Sequence, residues 1–472
     1  MRVAHTVEAV RQAEAELMKT VSGDALMQRA AHGLATICAD YLGAVYGARV
    51  AVLAGSGHNG GDALFAGARL GRRGARVDVV TVGSSVHEGG LAAVRRAGGH
   101  VVPGASTEAA GRVLRDANLV IDGILGIGGR PGLRDDVASL VAQARAPIVA
   151  VDVPSGIEVD TGRTDGPHVQ ADVTVTFGTG KVGLYVDPAA SAAGVVELVD
   201  IGVQPYLGAP AVEVLQAADV HTLLPWPSGV SHKYTRGVVG VVAGSPQYTG
   251  AGVLVVAAAL ATGLAGMVRY EGASADLVRA SHPEVVVGPG RVQAWVVGSG
   301  LGDRRDMTSH VASVLADRMP TVVDADGLAH LPDRLGGPAV LTPHAGELAG
   351  LLDVSREQVE ASMLESALEA AWRWDAVVLL KGARTVIANP DGRIRVNHTG
   401  TSWLATAGAG DVLSGVVGTL LAAGLEPFDA ASVGAWLHGS AAALASAGGP
   451  IAATDVVASL PAALRGVLAG RA

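Results

Sequence analysis

Short apolar runs that alternate with helix-like segments organise the first half of the chain. Each run is rich in Val, Ile and Leu and is bounded by Gly, Asp or Pro, which is typical of buried strands. The runs are residues 49–53, 76–82, 119–122, 148–153 and 173–177. Helical segments lie between them, as at 61–73 and 89–97, and a helical region at 7–42 precedes them. The alternation predicts an α/β domain with a mostly parallel, doubly wound sheet.

The same alternation restarts in the second half and predicts a second doubly wound α/β domain. Its expected strands are residues 238–242, 294–297, 320–323, 339–341, 377–380 and 385–388, and helices follow Gly410. Residues 204–229 contain Pro and Gly and few charges, so we expect the linker there. Residues 250–268 carry no charge, but their Ala, Gly and Val predict a helix packed on a sheet rather than a membrane span.

Composition narrows the class of protein. A chain of 472 residues is long enough for two or more cores, and 49% hydrophobic residues with 17% charged residues exclude a disordered chain. A net charge of −9 disfavours binding to nucleic acid. Cys38 is the one cysteine, which excludes a disulfide scaffold and an all-cysteine zinc site. Charged residues within 1–17 leave no apolar signal-peptide segment, so we expect a cytoplasmic protein without a membrane partner.

A glycine-rich loop at 55–62 follows the first strand and opens a helix, where doubly wound folds bind ligands. Glycine lets the backbone approach a ligand, and the N–H groups at the helix start attract phosphate. Asn59 and Asp62 add a carbonyl and a carboxylate to the same loop. The spacing differs from the dinucleotide fingerprint with its later acidic residue, so a simple NAD dehydrogenase is disfavoured.

Polar side chains also end two later strands of the first half. Asp122 precedes a second glycine loop, and Asp152 and Ser155 follow the next strand. The ends of parallel strands meet in one crevice, so Asn59, Asp122 and Ser155 would offer oxygen ligands suited to a hard cation. Asp152 is a candidate general acid or base. The alternative is that these residues only form turns and helix caps.

Lys181 lies in the glycine-rich segment 177–183, which superficially suggests a phosphate-binding loop. The segment lacks the P-loop spacing, and no helix-like run follows it. We therefore expect Lys181 to be a structural lysine or a lysine at the rim of the crevice.

Residues 55–62, 122–128 and 152–156 closely resemble the NAD(P)H-hydrate epimerase family, and the resemblance covers most of residues 1–205. It implies a Rossmann-like domain at 1–210 that binds the hydrated nicotinamide nucleotide beside K⁺, with Asn59, Asp122 and Ser155 as the ligands of the ion. Three residues depart from the family pattern: His58, Ala63 and Ile127. The implied substrate contacts are His58, Asn59, Gly60, Gly61, Asp62, Gly126, Ile127, Gly128, Gly129, Arg130, Pro131, Gly132 and Asp152.

In the second half, a run of small residues at 406–410 leads through Asp411 into an apolar helix. Such a run exposes backbone N–H groups, and the helix dipole adds positive potential, so it predicts an anion hole. Asp411 would lie beside a transferring phosphoryl group and take the proton of a substrate hydroxyl. The alternative is that Asp411 is a plain helix N-cap.

Further polar groups end the strands of the second half, and together they predict nucleotide-dependent phosphoryl transfer. In order they are the glycine turn 298–302, the Asp-Ala-Asp run at 324–326, the Thr-Pro-His-Ala-Gly-Glu run at 342–347 and the Leu-Lys-Gly run at 380–382. With the loop at 407–411, these motifs resemble the ribokinase-like superfamily. Within it they match the ADP-dependent NAD(P)H-hydrate dehydratases over nearly all of 220–470.

This second resemblance implies a ribokinase-like domain at 211–472 that uses ADP, or ATP, with Mg²⁺. The departures from its pattern are Tyr234, Ala407 and Ala409. The implied substrate contacts are Gly252, Gly300, His344 and Asp411, and the implied nucleotide contacts are Lys381, Gly382, Ala383, Arg384, Thr385 and Gly410.

Taken together, the two resemblances imply a bifunctional enzyme that repairs hydrated NADH and NADPH. The first domain would interconvert the R and S hydrates with Asp152 as acid or base. The second would phosphorylate the S hydrate with Asp411 as base and eliminate phosphate. We expect a homo-oligomer. Two alternatives stay open: a small-molecule kinase, and a first domain that only binds a nucleotide or a protein.

Overall fold

The computed structural model describes residues 1–104, 107–302 and 307–470. The chain divides into two compact units, the first Val3–Ala211 and the second Val212–Ala472 together with Met1–Arg2. Both units are α/β with mainly parallel sheets, as the strand and helix alternation predicts. The boundary between the units, at 211/212, falls within residues 204–229, the stretch in which the linker is expected, and the same stretch also holds the first strand and helix of the second unit.

The first unit is built on a seven-stranded sheet in which every pair of neighbours is parallel. Strands β1 and β8 pair with each other outside this sheet. The strands are β1 (Arg2–His5), β2 (Arg49–Ala54), β3 (Arg76–Thr81), β4 (His100–Pro103), β5 (Leu119–Gly123), β6 (Ile148–Val151), β7 (Val173–Phe177), β8 (Gly180–Lys181) and β9 (Val195–Val199). The sheet order is β4-β3-β2-β5-β6-β7-β9.

Helices cover both faces of this sheet, which explains why its strands are apolar on both sides. On β2, Val50 and Val52 pack in one core and Ala51 and Leu53 in the other. The helices are α1 (Val7–Leu17), α2 (Gly23–Leu42), α3 (His58–Arg72), α4 (Glu88–Arg96), α5 (Glu108–Asp116) and α6 (Asp135–Val141), with 3-10 helices at Val182–Leu184, Ala189–Ala192 and Gln204–Tyr206. The predicted helical region 7–42 is two helices, because the side chain of Ser22 caps the N-terminus of α2 and a second helix begins there.

In the second unit ten strands form a parallel array in which only β18 runs antiparallel to its neighbours. The strands are β10 (Val212–Val214), β11 (Val238–Val242), β12 (Met267–Tyr270), β13 (Val286–Val287), β14 (Ala294–Val297), β15 (Thr321–Val323), β16 (Ala339–Leu341), β17 (Val377–Leu380), β18 (Thr385–Ala388) and β19 (Ile394–Asn397). Their order is β13-β12-β11-β14-β15-β16-β17-β18-β19-β10.

The described part of the second unit has ten helices, and the first three and the last three of them share one apolar core. The ten helices are α7 (Ala217–Leu223), α8 (Thr249–Thr262), α9 (Ala275–Ser281), α10 (Met307–Ala316), α11 (Ala345–Leu352), α12 (Arg356–Ala361), α13 (Met363–Trp374), α14 (Ala409–Ala422), α15 (Pro427–Ser446) and α16 (Ala453–Leu468), with 3-10 helices at Ala325–His330 and Ser402–Leu404. Helix α14 contacts α8, α15 and the strands β11, β14 and β15, so it is the central helix of the unit.

The uncharged segment 250–268 differs from its prediction as a single helix. Helix α8 ends at Thr262 because Gly263 takes a left-handed conformation, with a φ of 61°, and the chain then enters β12. In the part of the chain that the structure describes, no helix is both long and apolar enough to span a membrane.

Close helix packing in the second unit generates a stability prediction. A Cβ at Gly415 of α14 would lie 2.4 Å from the backbone oxygen of Val255 in α8, which cannot move aside. We expect Gly415→Ala to lower the free energy of unfolding of this unit by about 1–3 kcal/mol. All six tryptophans lie in the second unit, so urea unfolding followed by tryptophan fluorescence measures this effect.

The matched control is Gly250→Ala at the start of α8, where a Cβ would meet nothing within 4 Å. This substitution should be neutral or stabilise by about 0.4–1 kcal/mol. Equal effects of the two substitutions would contradict the close approach of α8 and α14.

Candidate active sites

The first site is a cleft of about 1250 Å³ in the first unit. It opens where the chain order of the sheet reverses, since β2 has β3 on one side and β5 on the other. Loops that leave neighbouring strands in opposite directions at such a point leave a crevice between them. The cleft therefore lies where the sequence places its first glycine loop.

Two close backbone approaches fix the glycine loop beside the end of β5. A Cβ at Gly55 would lie 1.9 Å from the carbonyl oxygen of Ile124, and one at Gly60 would lie 2.2 Å from that of Gly55. Helix α3 begins at His58, and its N-cap Gly57 makes no side-chain cap hydrogen bond. The first N–H groups of α3 are thus left for a ligand.

The structure brings Asn59, Asp122 and Ser155 together around one carbonyl group. The Asn59 amide donates to the carbonyl oxygen of Leu125 at 3.0 Å, and the Ser155 hydroxyl lies 3.1 Å from the same oxygen. The Ser155 hydroxyl lies 2.6 Å from Asp122 Oδ1, and the Ser155 N–H donates to Oδ2 at 2.9 Å. These contacts form one cluster of polar atoms, in which Asn59 and Leu125 line the cleft and the fully buried Asp122 and Ser155 lie behind them.

Asp122 is fully buried, and burial raises its pKa to about 6, although hydrogen bonds from Ser155 and Ile124 lower it in part. Those hydrogen-bond partners are all neutral. A buried carboxylate with neutral partners and neighbouring amide, hydroxyl and carbonyl oxygens fits a hard cation, because such ions take oxygen ligands only.

Asp152 forms a buried ion pair with Lys181, whose side chain is 1% exposed. Lys181 Nζ lies 2.5 Å from Asp152 Oδ1, 3.0 Å from Thr176 Oγ1 and 2.9 Å from the carbonyl oxygen of Phe177. Lys181 is therefore not at the rim, because three acceptors hold its ammonium group inside the unit. Asp152 has a φ of 67°, a strained conformation of the kind that clusters at functional sites.

Three further carboxyl groups line the cleft, Asp62 from α3, Glu14 from α1 and Asp24 from α2. Burial raises the pKa of Glu14, and burial followed by the charges of Asp152 and Glu14 raises the pKa of Asp62 well above its usual range. Glu14 and its helix neighbour Arg11 were missed by the sequence reasoning. Their spacing on α1 gave no motif, and only the packing of that helix places them at the cleft.

The remaining predicted contacts of the first unit divide into two groups. Lining residues of the cleft include His58, Asn59, Asp62, Asp152, Gly126, Ile127, Gly128, Gly129 and Gly132. Gly60 and Gly61 are buried in α3, and Arg130 and Pro131 are exposed on the loop beside the cleft.

The second site lies at the start of α14 in the second unit. Gly408 is the N-cap of this helix, in a left-handed conformation with a φ of 87°. Asp411 is the third residue of α14, so the alternative that it caps the helix is wrong. A Cβ at Gly410 would lie 3.5 Å from Lys381 Nζ, which places the anion-hole loop beside that ammonium group.

A buried aspartate, Asp324, holds the second site together. Its Oδ1 accepts from Lys381 at 2.9 Å and from Thr342 at 2.8 Å, and its Oδ2 accepts from Ser299 at 3.1 Å and Ser414 at 2.8 Å. Burial alone would raise the pKa of Asp324, but Lys381 and these hydroxyls together hold it below its usual range. Asp324 is therefore a fixed negative charge.

The pKa of Asp411 is shifted in the opposite direction from that of Asp324. Burial, and then the negative charge of Asp324, raises the pKa of Asp411 to about 6, against lowering contributions from Ser299 and Lys381. Because Lys381 is already bound to Asp324, Asp411 keeps enough basicity to accept a proton near neutral pH.

The other predicted residues of the second unit lie at or near the same strand ends. His344 caps α11 together with Glu347, and Glu347 Oε2 lies 3.7 Å from Lys381 Nζ. A Cβ at Gly300 would lie 2.5 Å from the Cβ of Ala251, the residue before Gly252. Gly382, Ala383, Arg384 and Thr385 form the turn into β18 and its first residue. Ser299, Thr342 and Ser414 were missed as partners of Asp324, because isolated hydroxyl residues carry no recognisable spacing.

Comparison with known proteins gives two family matches. A family described as NAD(P)H-hydrate dehydratase matches residues 239–461, and one described as YjeF-related protein N-terminus matches residues 23–183. The bifunctional NAD(P)H-hydrate repair enzyme of Mycobacterium leprae is 44% identical over 468 residues, covering 95% of each chain. This chain belongs to the family of bifunctional NAD(P)H-hydrate repair enzymes.

Other members of this repair-enzyme family give the same result. The enzyme of that name from Mycobacterium tuberculosis is 44% identical over 451 residues, covering 92% of each chain. Among solved structures, the ADP/ATP-dependent NAD(P)H-hydrate dehydratase of Bacillus subtilis, co-crystallised with ATP/Mg²⁺, is 29% identical with a TM-score of 0.51. It covers 53% of this chain and 97% of its own. The ribokinase-like fold expected for the second half is confirmed.

The buried pair in the first site generates a prediction. Lys181→Met would leave Asp152 buried without its cation, so we expect the free energy of unfolding of the first unit to fall by about 3–5 kcal/mol. Urea unfolding followed by circular dichroism reports both units, and tryptophan fluorescence reports the second unit alone. The part of the circular dichroism transition that fluorescence does not show belongs to the first unit and measures this loss.

Lys19→Met is the control, because Lys19 pairs with Glu16 in an exposed ion pair. Its effect should stay within about 0.5 kcal/mol. A Lys181→Met chain as stable as the Lys19→Met chain would contradict the buried pair.

Proposed function

We propose that the first unit interconverts the R and S hydrates of NADH and NADPH, and that the second unit uses ADP to dehydrate the S hydrate back to NADH or NADPH. The observation that carries this proposal is the position of Asp411. It is a carboxyl group of raised pKa at the start of an apolar helix, beside a fixed Asp324–Lys381 ion pair. This arrangement suits proton removal from a hydroxyl next to a bound phosphate.

In the second unit Asp411 would accept the proton of the substrate hydroxyl as the hydroxyl oxygen attacks the terminal phosphorus of ADP, whose bond to the bridging oxygen breaks so that AMP leaves. The N–H groups at the start of α14 would hold the phosphate, and Lys381 would add positive charge beside them. Asp326, whose charge acts on Asp411, and Glu347, 3.7 Å from Lys381 Nζ, would offer carboxylate oxygens to Mg²⁺, which would neutralise phosphate charge. Phosphorylation makes the hydroxyl a good leaving group. Phosphate then leaves together with a proton from the adjacent ring carbon, a carbon–carbon double bond forms, and the reduced nicotinamide is restored.

The proposed nucleotide contacts are Lys381, Gly382, Ala383, Arg384, Thr385 and Gly410, and the proposed substrate contacts are Gly252, Gly300, His344 and Asp411. They are supported by their common position at the carboxyl ends of the strands of one sheet, where open α/β folds bind ligands.

In the first unit Asp152 would act as acid or base on the hydrated ring, held in place by Lys181 and Thr176. Asn59, Asp122 and Ser155 would hold K⁺, which would neutralise the buried charge of Asp122 and order the loop at 126–132. Self-association of the chain and its cytoplasmic location stay predictions.

A direct experiment tests the proposed function. The purified chain is mixed with both NADH hydrates, Mg²⁺ and K⁺, and ADP is then added while the near-ultraviolet absorbance of reduced nicotinamide is followed. Complete recovery, faster than spontaneous interconversion of the hydrates, is the expected result. Recovery of the S fraction alone would leave the first unit as a binding module. A stable phosphorylated product would identify a small-molecule kinase.

Asp411→Asn gives the second prediction for this site. The amide keeps the shape of the side chain but cannot accept the proton, so ADP-dependent dehydration should fall by about 100-fold or more. Epimerisation should stay near wild type, because its groups lie in the other unit. Asp455→Asn is the matched control, since Asp455 is the third residue of α16 as Asp411 is of α14, and it should leave both rates unchanged. Loss of both activities in the Asp411 variant would contradict two independent sites.

The pKa of Asp411 also predicts a pH profile. A general base works only when ionised, so kcat/KM for dehydration should fall about tenfold per pH unit below a pKa of about 6 and level off above it. Steady-state rates with ADP over this pH range measure the profile. A rate independent of pH between about 5 and 7 would show that Asp411 is not the base.

A further inference from the structure

Asp62 carries a buried carboxyl group that the mechanism above does not use. Its side chain lines the cleft of the first unit, and the residue is 9% exposed. Within the described residues, Asp62 Oδ1 is buried without any hydrogen-bond partner. A buried carboxylate oxygen without a donor is costly, whereas a protonated carboxyl group is tolerated because it carries no charge.

The charges around Asp62 favour its neutral form. Its electrostatic neighbours are Asp152, in the loop after β6, and Glu14 on α1, and both are carboxyl groups. The buried cation of this region, Lys181, lies 2.5 Å from Asp152 and so compensates that residue. Arg11 and His58 act on Glu14 rather than on Asp62. Burial and these like charges raise the pKa of Asp62 well above its usual range.

The cleft therefore holds two carboxyl groups in opposite surroundings: Asp152 contacts the ammonium group of Lys181, whereas Asp62 Oδ1 has no hydrogen-bond partner among the described residues. Environments that separate two titratable groups in this way assign the acid and the base of a reaction. We propose that Asp62 is the proton donor of the epimerisation and that Asp152 is the proton acceptor. This proposal rests on the function proposed above for the first unit.

The proposed reaction inverts the ring carbon that carries the hydroxyl group next to the ring nitrogen. The Asp62 carboxyl gives its proton to this hydroxyl, the carbon–oxygen bond breaks, and water leaves while the nitrogen lone pair forms a carbon–nitrogen double bond. Water then adds to the opposite face of the planar cation and loses a proton to Asp152. That proton returns to Asp62 through the water of the cleft, so the cycle consumes nothing and oxidises nothing.

The first test is Asp62→Asn in the full chain with K⁺, using separated hydrates and chromatography of the two epimers. The amide has the size of the neutral carboxyl but no acidic proton, so kcat for epimerisation should fall by about 100-fold or more. The wild-type kcat/KM should decline at high pH as Asp62 ionises, and the variant should lack this decline. Asp78→Asn, at the start of β3 and paired with Arg76, is the control and should retain the wild-type rate.

Water labelled with heavy oxygen gives a readout of the bond that breaks. The wild-type chain should place one labelled oxygen in the product for each inversion, and the Asp62 variant should lose this incorporation together with its rate. Inversion by the wild-type chain without label would overturn the proposal, because the carbon–oxygen bond would then stay intact.

The pH dependence of stability tests the neutral state of Asp62 without an activity assay. A raised pKa means that the folded chain keeps a proton that the unfolded chain releases, so wild-type stability falls as the pH rises above the ordinary aspartate pKa of about 3.9. Asp62→Asn removes this dependence, so its unfolding temperature relative to wild type should increase with pH. A difference that does not change with pH would overturn the neutral state of Asp62.

The outcomes distinguish a failure of the proposed epimerase function from a failure of the donor role of Asp62 alone. A wild-type chain that does not speed the interconversion of the hydrates overturns the proposed function and the donor role with it. A wild-type chain that epimerises, with an Asp62→Asn variant of equal rate, overturns the donor role alone.

Discussion

A lysine paired with a buried aspartate is the interaction on which each site depends. In the first unit the pair is Lys181 with Asp152, and in the second it is Lys381 with Asp324. In both places a second carboxyl group stands near the pair without a cation of its own, and its pKa is raised. Each pair therefore fixes one charge, and the neighbouring carboxyl group, whose pKa is raised, keeps its proton to a higher pH than an ordinary aspartate does.

The parallel sheets explain why these groups meet. Asp122 and Asp152 in the first unit, and Asp324 in the second, each end or follow a strand. Parallel strands bring such residues to the same edge of their own sheet. The glycine loop can pass over that edge only because the backbone of Gly55 lies against the carbonyl group of Ile124. The chemistry thus depends on backbone contacts that leave no space for a side chain.

Much of this arrangement could be predicted from the sequence. The strands of both sheet centres were found because they are buried on both sides and so form continuous apolar runs. Edge strand β9 was missed because it is largely exposed and lacks such a run. Strand β12 was merged with α8 because only the short, uncharged segment 263–266 separates them. The motif residues were placed correctly at strand ends. The partners that set their charge, Lys181 for Asp152 and the hydroxyls around Asp324, come from distant segments and follow from packing alone.

The contacts of Lys181 have a consequence for the composition of the chain. Thirty-one of its 35 basic residues are arginine, yet this buried position holds lysine. An ammonium group has three N–H donors, and here three acceptors surround it, from Asp152, Thr176 and Phe177. A guanidinium group is a larger planar fork with five donors, so it would bring unpaired N–H groups into the interior. Position 181 therefore holds lysine and not arginine, because the geometry of its three acceptors matches one tetrahedral nitrogen.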